Sequence, residues 1–324
     1  MNNAGLKVDN YYAYEIDSHA IMTAKHNFPD IQEFGDVFDA DFSTHNRVDF
    51  LIGGSPCTYW SKGQLSKRRE RTASGTGWEL FTQYVRAVNE AQPSVFIYEN
   101  NLSMSHDVMQ AITDELHVQP IYINSSLVSA QDRKRLYWVG IRNPDGSYRK
   151  AEVERPENKH IHILDILDTH DNIDKISAVC DTESDEPVKV FIYPRRDGIQ
   201  TNGQAYRVYS QYGKAPCLKS TRGGGGAKTG LYAIDSLKDQ NNTYDVRDGI
   251  IEVYGSKYTI KLGDGTYCIR NLSVDECKRL QTVPEWYSFS YVSDTQSYKM
   301  LGNGFTCDVI THIIKSCMKE TVAK

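Results

Sequence analysis

The chain has 324 residues, enough for one large or two modest domains with a sizeable buried core. With 37 Lys and Arg against 42 Asp and Glu the net charge is −5, so the overall balance does not advertise a nucleic-acid binder and any such footprint has to be local. The seven Cys show no close pairing and no C-x-x-C, which points to reduced thiols in a cytosolic setting without structural zinc. No apolar run approaches the roughly 20 residues of a membrane span, and Met1-Asn2-Asn3-Ala4-Gly5 has no signal-peptide character.

Tyr11 to Ile16 reads as a strand ending in Glu15 and Asp17, and Ser18 to Asn27 as a helix with Ser18 as its N-cap. Ile31 to Gly35 is another short strand, with Asp36 just past it. The most informative stretch is Asp49 to Ser61. Phe50-Leu51-Ile52 reads as a buried strand, Gly53-Gly54 as a turn in which backbone can approach a ligand, and Pro56 as a stiffener. Cys57 then stands at the carboxyl end of the strand, where open α/β sheets place their chemistry. A cysteine there is either a displayed nucleophile or a buried structural thiol, and these residues alone leave both open.

Trp60 to Gly77 is polar, glycine-punctuated and carries Lys62, Lys67, Arg68, Arg69 and Arg71. That density of charge suits a phosphate grip, although a merely solvated loop has the same look. Leu80 to Ala91 has helical spacing, and Ser94 to Asn101 is a second apolar strand that delivers Glu99 to the same edge as Cys57. Val108 to Leu116 reads as a helix, Ile121 to Val128 and Leu136 to Ile141 as strands. Within Ser129 to Trp138, extended backbone puts Gln131, Arg133 and Arg135 on one side. Strands alternating with helices predict a mostly parallel sheet with helices on both faces.

Beyond Glu152 the texture changes. Acidic residues and His crowd Glu152 to Glu186, with a short helix expected over Ile161 to Leu167. Val188 to Tyr267 is rich in Tyr, Gly, Thr and Lys, with strand-like runs at Val188 to Tyr193, Tyr206 to Tyr209 and Tyr258 to Leu262, which predicts a small, mainly β domain with long loops. A Leu272 to Leu280 helix follows, and Gly302-Asn303-Gly304 opens an apolar closing helix, Gly304 to Met318.

Pro56-Cys57, Glu99-Asn100, Gln131-x-Arg133-x-Arg135 and Gly302-Asn303, in that order, resemble the DNA (cytosine-5)-methyltransferase family. Arg270 to Pro284 is similar to that family's Arg-x-Leu-(Ser/Thr)-x-x-Glu-x-x-Arg-Leu-Gln-x-x-Pro segment, and Gln204 to Tyr232 to the target-recognition segment of its bacterial members. The resemblance implies an α/β, Rossmann-like S-adenosylmethionine-dependent methyltransferase sheet. Residues 1–170 and 268–324 would form it, with an inserted target-recognition domain at 171–267. It further implies a methyl transfer to C5 of a cytosine rotated out of duplex DNA, through a covalent bond from Cys57 to C6. In that scheme Glu99 holds the base through N3 and the exocyclic amine, while Arg133 and Arg135 donate to cytosine O2, to Glu99 and to nearby phosphate, with Gln131 positioning them. Lys62, Arg68 and Arg69 would grip the DNA backbone. Gln204, Arg222 and Lys228, beside the four glycines at Gly223 to Gly226, would reach base edges or phosphates.

For the cofactor, Glu15 matches the carboxylate that holds the ribose hydroxyls, Asp36 the acid that receives the adenine amine, and Pro56 and Asn303 further pocket positions. Two departures stand out. About 20 residues of the family pattern, a central strand and its Phe-x-Gly-x-Gly loop, are missing ahead of Met1, and such a loss would unpair ladder groups. Asn100-Asn101 replaces the commoner Asn-Val. The expectation is a cytoplasmic, monomeric, metal-free enzyme of a bacterium or a phage-infected host, acting on double-stranded DNA. The rivals are a DNA-binding remnant without transfer activity and, more weakly, an RNA cytosine methyltransferase.

Overall fold

A computed structural model of the chain describes residues 1–45, 47–56, 58–61, 69–168, 183–219, 230–235 and 243–322. It divides into two compact units. Unit one comprises Met1–Asn124, Lys134–Pro156 and Asp308–Lys324; unit two comprises Ser125–Arg133 and Glu157–Cys307.

In unit one, β1 (Tyr12–Ala13) precedes α1 (Ser18–Asn27), whose N-cap is Asp17 and not Ser18: the Asp17 carboxylate accepts from His19 N at 3.0 Å. β2 (Gln32–Glu33) runs parallel to β1. Next come β3 (Phe50–Gly53), α2 (Thr76–Ala91) and β4 (Val95–Asn101), a crossover that leaves β3 and β4 parallel. α3 (His106–Leu116) starts at Ser105, whose hydroxyl accepts from Val108 N, and leads into β5 (Ile121–Asn124). β6 (Gln131–Asp132) belongs to unit two, whereas β7 (Lys134–Arg142) and β8 (Tyr148–Lys150) return to unit one.

The larger sheet of this unit has the order β3-β4-β7-β5, with β8 also on β7. β7 is antiparallel to β4, β5 and β8, so β3, β4, β5 and β8 run the same way, as expected of a mostly parallel sheet, and β7 alone is reversed. The reason is connection length: Ser125–Arg133 is too short for the crossover of about a dozen residues that a parallel return from β5 needs. Every residue of β4 is buried, the mark of a strand covered on both faces. Phe81 and Val88 of α2 and Val108, Ile112 and Leu116 of α3 pack in one core with Phe96, Tyr98 and Trp138. Gly140 on β7 sits opposite Phe96, and a Cβ there would lie 2.2 Å from the Phe96 ring, so the ring takes the place of a side chain.

Unit two contains a seven-stranded sheet built from β9 (Lys189–Ile192), β10 (Arg207–Ser210), β12 (Leu231–Asp235), β13 (Thr243–Arg247), β14 (Ile250–Val253), β15 (Ser256–Thr259) and β16 (Gly265–Arg270), while β11 (Ala215–Pro216) pairs with β6 instead. Its order is β15-β14-β13-β16-β12-β10-β9, and a bond from Lys261 N to Val190 O (3.0 Å) ties its two ends together. Asp248-Gly249 and Tyr254-Gly255, all at positive φ, make the two tight hairpin turns. Val190, Phe191, Val208, Val246, Ile251 and Ile269 belong to the apolar core of this sheet. α4 (Val274–Leu280) begins with a capping box between Ser273 and Glu276. α5 (Asp294–Asn303) is a helix that the sequence pattern did not announce: Gly302 and Asn303 close it instead of forming a free turn. α6 (Cys307–Val322) ends the chain. No helix among the described residues is long and apolar enough to cross a membrane, and no cluster of three metal-capable side chains occurs there.

Candidate active site

The carboxyl ends of β3 and β4 meet the start of β7 in unit one. Glu99 and Asn101 face the same side of β4, and Arg135, opposite Asn101, reaches diagonally to Glu99. Arg135 Nε lies 2.6 Å from Glu99 Oε1, and both side chains are about one-tenth exposed. The pair is therefore charge-assisted and largely desolvated, which fixes the carboxylate in place. Arg135 Nη1 also donates to Lys134 O at 2.9 Å.

The turn after β3 runs against this carboxylate. A Cβ on Gly54 would lie 2.7 Å from Glu99 O and 3.4 Å from Glu99 Oε2, so only glycine lets the two backbones approach this closely. Ser55 Oγ and Tyr98 OH are 2.6 Å apart, and Asn100 Nδ2 donates to Ser55 O at 3.2 Å. Burial pushes the Tyr98 hydroxyl far up, outweighing its bonds with Ser55 and Asn100. Tyr98 is thus a neutral packing and hydrogen-bonding group, unsuited to act as a base. Pro56 is exposed at the tip of the turn. Cys57, next in the chain, lies outside the described residues, as do Lys62, Arg68, Arg222 and Lys228.

At the other parallel pair of unit one, Glu15 follows β1 and Asp36 follows β2, so two carboxylates stand past the carboxyl ends of neighbouring strands. Glu15 Oε1 accepts from Ile16 N and Asp17 N at 2.8 Å each, and Asp36 Oδ1 accepts from Phe38 N at 3.0 Å. Beside them Ile16 is 73% exposed and Phe38 49% exposed. Acceptors for hydroxyl and amine donors, next to bare apolar surface, fit the ribose and adenine of a nucleoside.

Unit two gathers the remaining expected groups around the end of α5. Arg133 Nη2 donates to Gly304 O at 2.8 Å and Gly302 O at 3.3 Å, and Nη1 also reaches Leu218 O and Cys217 Sγ. Gln131 Nε2 donates to Gln281 Oε1, and its Oε1 accepts from Leu218 N at 2.8 Å. Gln281 Nε2 donates to Leu301 O at 2.5 Å, and Thr306 Oγ1 to Gln281 Oε1 at 2.9 Å. Gln131 and Arg133 thereby brace the Gly302-Asn303-Gly304 segment, leaving Asn303 exposed. The single-sided row of Gln131, Arg133 and Arg135 read from the sequence is divided, since β6 ends at Asp132 and β7 starts at Lys134, with Arg133 in unit two and Arg135 in unit one. Gln204 is half-buried in the turn before β10.

Sequence reasoning passed over two groups that organise unit two. Lys214, with no exposed side chain, donates to Ser126 O, Ser129 O and Ile161 O. Burial pulls its pKa down, against the opposing charge of Asp185. Glu276, also fully buried, takes both Arg270 donors and the N–H groups of Ser273 and Asp168. The Arg-x-Leu-Ser-x-x-Glu spacing carried the signal for Glu276; nothing local flags Lys214.

Comparison with known proteins gives a consistent result. The profile of the family described as C-5 cytosine-specific DNA methylase matches residues 1–319. The chain is 26% identical to the Type II methyltransferase M.FnuDI of Fusobacterium nucleatum over 85% of this chain and 78% of that protein. It is 24% identical to the orphan methyltransferase M.SPRI of Bacillus phage SPR, covering 100% of this chain and 95% of the relative. Among solved structures, the S. pombe Dnmt2 methyltransferase superposes with a TM-score of 0.60 at 13% identity, over 99% of this chain and 93% of that one. At that identity the likeness speaks for the α/β methyltransferase fold alone.

Proposed function

The chain belongs to the C-5 cytosine-specific DNA methylase family, and on that premise we propose that Cys57 is the nucleophile of its reaction and Glu99 the acid that holds the base. The activity is transfer of a methyl group from S-adenosylmethionine to C5 of cytosine in DNA. C5 is a poor nucleophile while the ring is aromatic. Addition of the Cys57 thiolate to C6 breaks the aromaticity and drives electron density to C5, while Glu99 shares its proton with N3. S-adenosylmethionine, when bound, supplies the electrophilic methyl. Loss of the C5 proton to a base, a water in this reading, then expels Cys57 and restores the ring.

The observation that carries this reading is the close approach of the Gly54-Ser55 turn to the Glu99 carboxylate, with Arg135 pinning it at 2.6 Å. Arg135 supplies the positive charge beside the base. Arg133, engaged with the carbonyls of Gly302 and Gly304, supports the cofactor turn bearing Asn303 instead of donating to cytosine. Glu15 and Asp36, flanked by Ile16 and Phe38, would hold the adenosine half, with Pro56 a further cofactor position of unit one; the assignment of Asn303 to the cofactor rests on the family motif. Lys62 and Arg68 would grip phosphates as the base is rotated out, while residues 171–267, with Gln204, Arg222 and Lys228, read the sequence. The tyrosine-rich sheet of unit two supports a target-recognition role. Relatives from bacteria and phage support a bacterial or phage-encoded enzyme.

We read the sheet of unit one as the family sheet short of a strand. Among the described residues β1 pairs with β2 alone and β3 with β4 alone, so each offers an open ladder edge. Tritiated S-adenosylmethionine and unmethylated duplex DNA test the whole reading. The chain is expected to transfer label and Cys57→Ala to transfer none. DNA carrying 5-fluorocytosine should trap a Cys57-dependent adduct, because fluorine cannot leave as a cation. DNA binding without transfer would favour the remnant, and transfer by Cys57→Ala would overturn the mechanism.

A further inference from the structure

The expected DNA grip of Arg69 meets a different arrangement. Arg69 Nη2 donates to Ser103 O at 2.5 Å and Nε to Trp60 O at 3.0 Å, so its guanidinium joins two stretches of backbone. Glu70 N donates to Tyr59 O at 2.9 Å, a second tie between Tyr59-Trp60 and Arg69-Glu70. Trp60, fully buried, belongs to the same apolar core as Tyr98 and Phe81.

From Ser103 the contacts run back along the end of β4. Ser103 N and Oγ donate to Asn101 Oδ1 at 2.9 and 2.6 Å. Asn101 Nδ2 and N donate to Asn100 Oδ1 at 3.0 and 2.8 Å. Asn100 Nδ2 in turn holds Ser55 O and reaches Tyr98 OH. Asn100 is fully buried and Asn101 nearly so, which makes each of these bonds costly to break. A valine at 101 would accept nothing from Ser103 and would keep only the backbone one of the two donors to Asn100 Oδ1, cutting the link from Asn100 to Ser103. The departure Asn100-Asn101 therefore has a physical use.

We propose that Asn101 and Arg69 are positioning residues: one relay, Ser55–Asn100–Asn101–Ser103–Arg69–Trp60, holds the chain on both sides of Cys57 against the strand end that bears Glu99. This rests on the reading of Cys57 as nucleophile. Arg69 acts here through two carbonyls, not through a phosphate.

The test is single-turnover methyl transfer to unmethylated DNA of mixed sequence, with Asn101→Val, Arg69→Ala, Arg69→Lys and the Asn101→Val/Arg69→Ala pair. Each of Asn101→Val and Arg69→Ala should slow the transfer about tenfold with DNA affinity unchanged, the scale of one buried hydrogen bond. Arg69→Lys should recover part of the rate, and the pair should be no slower than the worse single change, since both cut one chain of contacts. The salt slope of DNA binding should stay as in the unaltered protein. A slope reduced by about 0.9 in Arg69→Ala at full transfer rate would make Arg69 a phosphate contact and overturn the proposal. Multiplying effects, or Asn101→Val at full rate, would overturn it as well. If Asn101→Val does not fold, the two Arg69 variants carry the decision. Failure of the underlying reading looks different: the unaltered chain would then form no Cys57-dependent adduct with 5-fluorocytosine DNA.

Discussion

The two units use polar side chains in opposite ways. Among the described residues, unit one gathers its buried charge in one pair, Glu99 with Arg135, at a strand end, with the buried amides of Asn100 and Asn101 next to it. Unit two threads polar groups through its interior: Lys214 on three carbonyls, Glu276 on Arg270 and two N–H groups, and Gln131, Gln281 and Arg133 around the end of α5. The buried ion pair of the first unit stands at a strand end, where we propose it serves the chemistry; in the second the buried charges hold loop backbone. The contrast teaches that a buried ion pair carries no meaning by itself until its surroundings are read, because the same Arg–carboxylate contact serves both ends.

That contrast can be broken by substitution. Glu99→Gln keeps an oxygen for Arg135 but cannot deliver a proton to N3. We expect methyl transfer to fall by about 10²–10⁴-fold with a near-normal melting transition, measured by label transfer and calorimetry. A large stability loss with little rate loss would erase the distinction. Glu276→Ala should show the reverse, destabilising unit two by about 3–5 kcal/mol in urea unfolding, since Arg270 is left partly buried without its carboxylate. The smallest effect concerns acid. Burial raises the Asp168 carboxyl, but bonds from Ser273 and Arg279 outweigh it and hold the group below its ordinary 3.8. Its stabilisation is therefore full above pH 3.8 and is lost as pH falls through the depressed folded value. Asp168→Asn should lower stability slightly at neutral pH, converge with the unaltered protein in acid and so flatten the acid limb of the stability profile; an unaltered limb would refute the assignment.

Much of this was legible in the sequence where local signals agree. The Ser18–Asn27 helix was read with its cap one residue late, and the apolar runs before Gly53 and Glu99 were read as the strands they are. The Asp248-Gly249 turn was equally legible and was passed over. α5 escaped because Asp294–Asn303 is polar and half-exposed, without an apolar stripe, and tertiary packing of Ser297 and Leu301 decides it. The direction of β7 depends on loop length, not on residue type. The work of Arg69, Arg133 and Asn101 is invisible locally, for each is set by a carbonyl or amide far away in the chain: Trp60 and Ser103, Gly302 and Gly304, and, through Asn100, Ser55. A basic residue in a basic run looks the same whether it meets a phosphate or a peptide group.

The ring of Phe96 lying where a side chain at 140 would be makes those two positions a single unit of heredity. Any lineage that acquires even a methyl at 140 must first pass through a smaller residue at 96, since the reverse order places two carbons 2.2 Å apart at the centre of a fully covered strand pair. The return journey takes the same two steps in the opposite order, so it is the sequence of changes that the fold dictates.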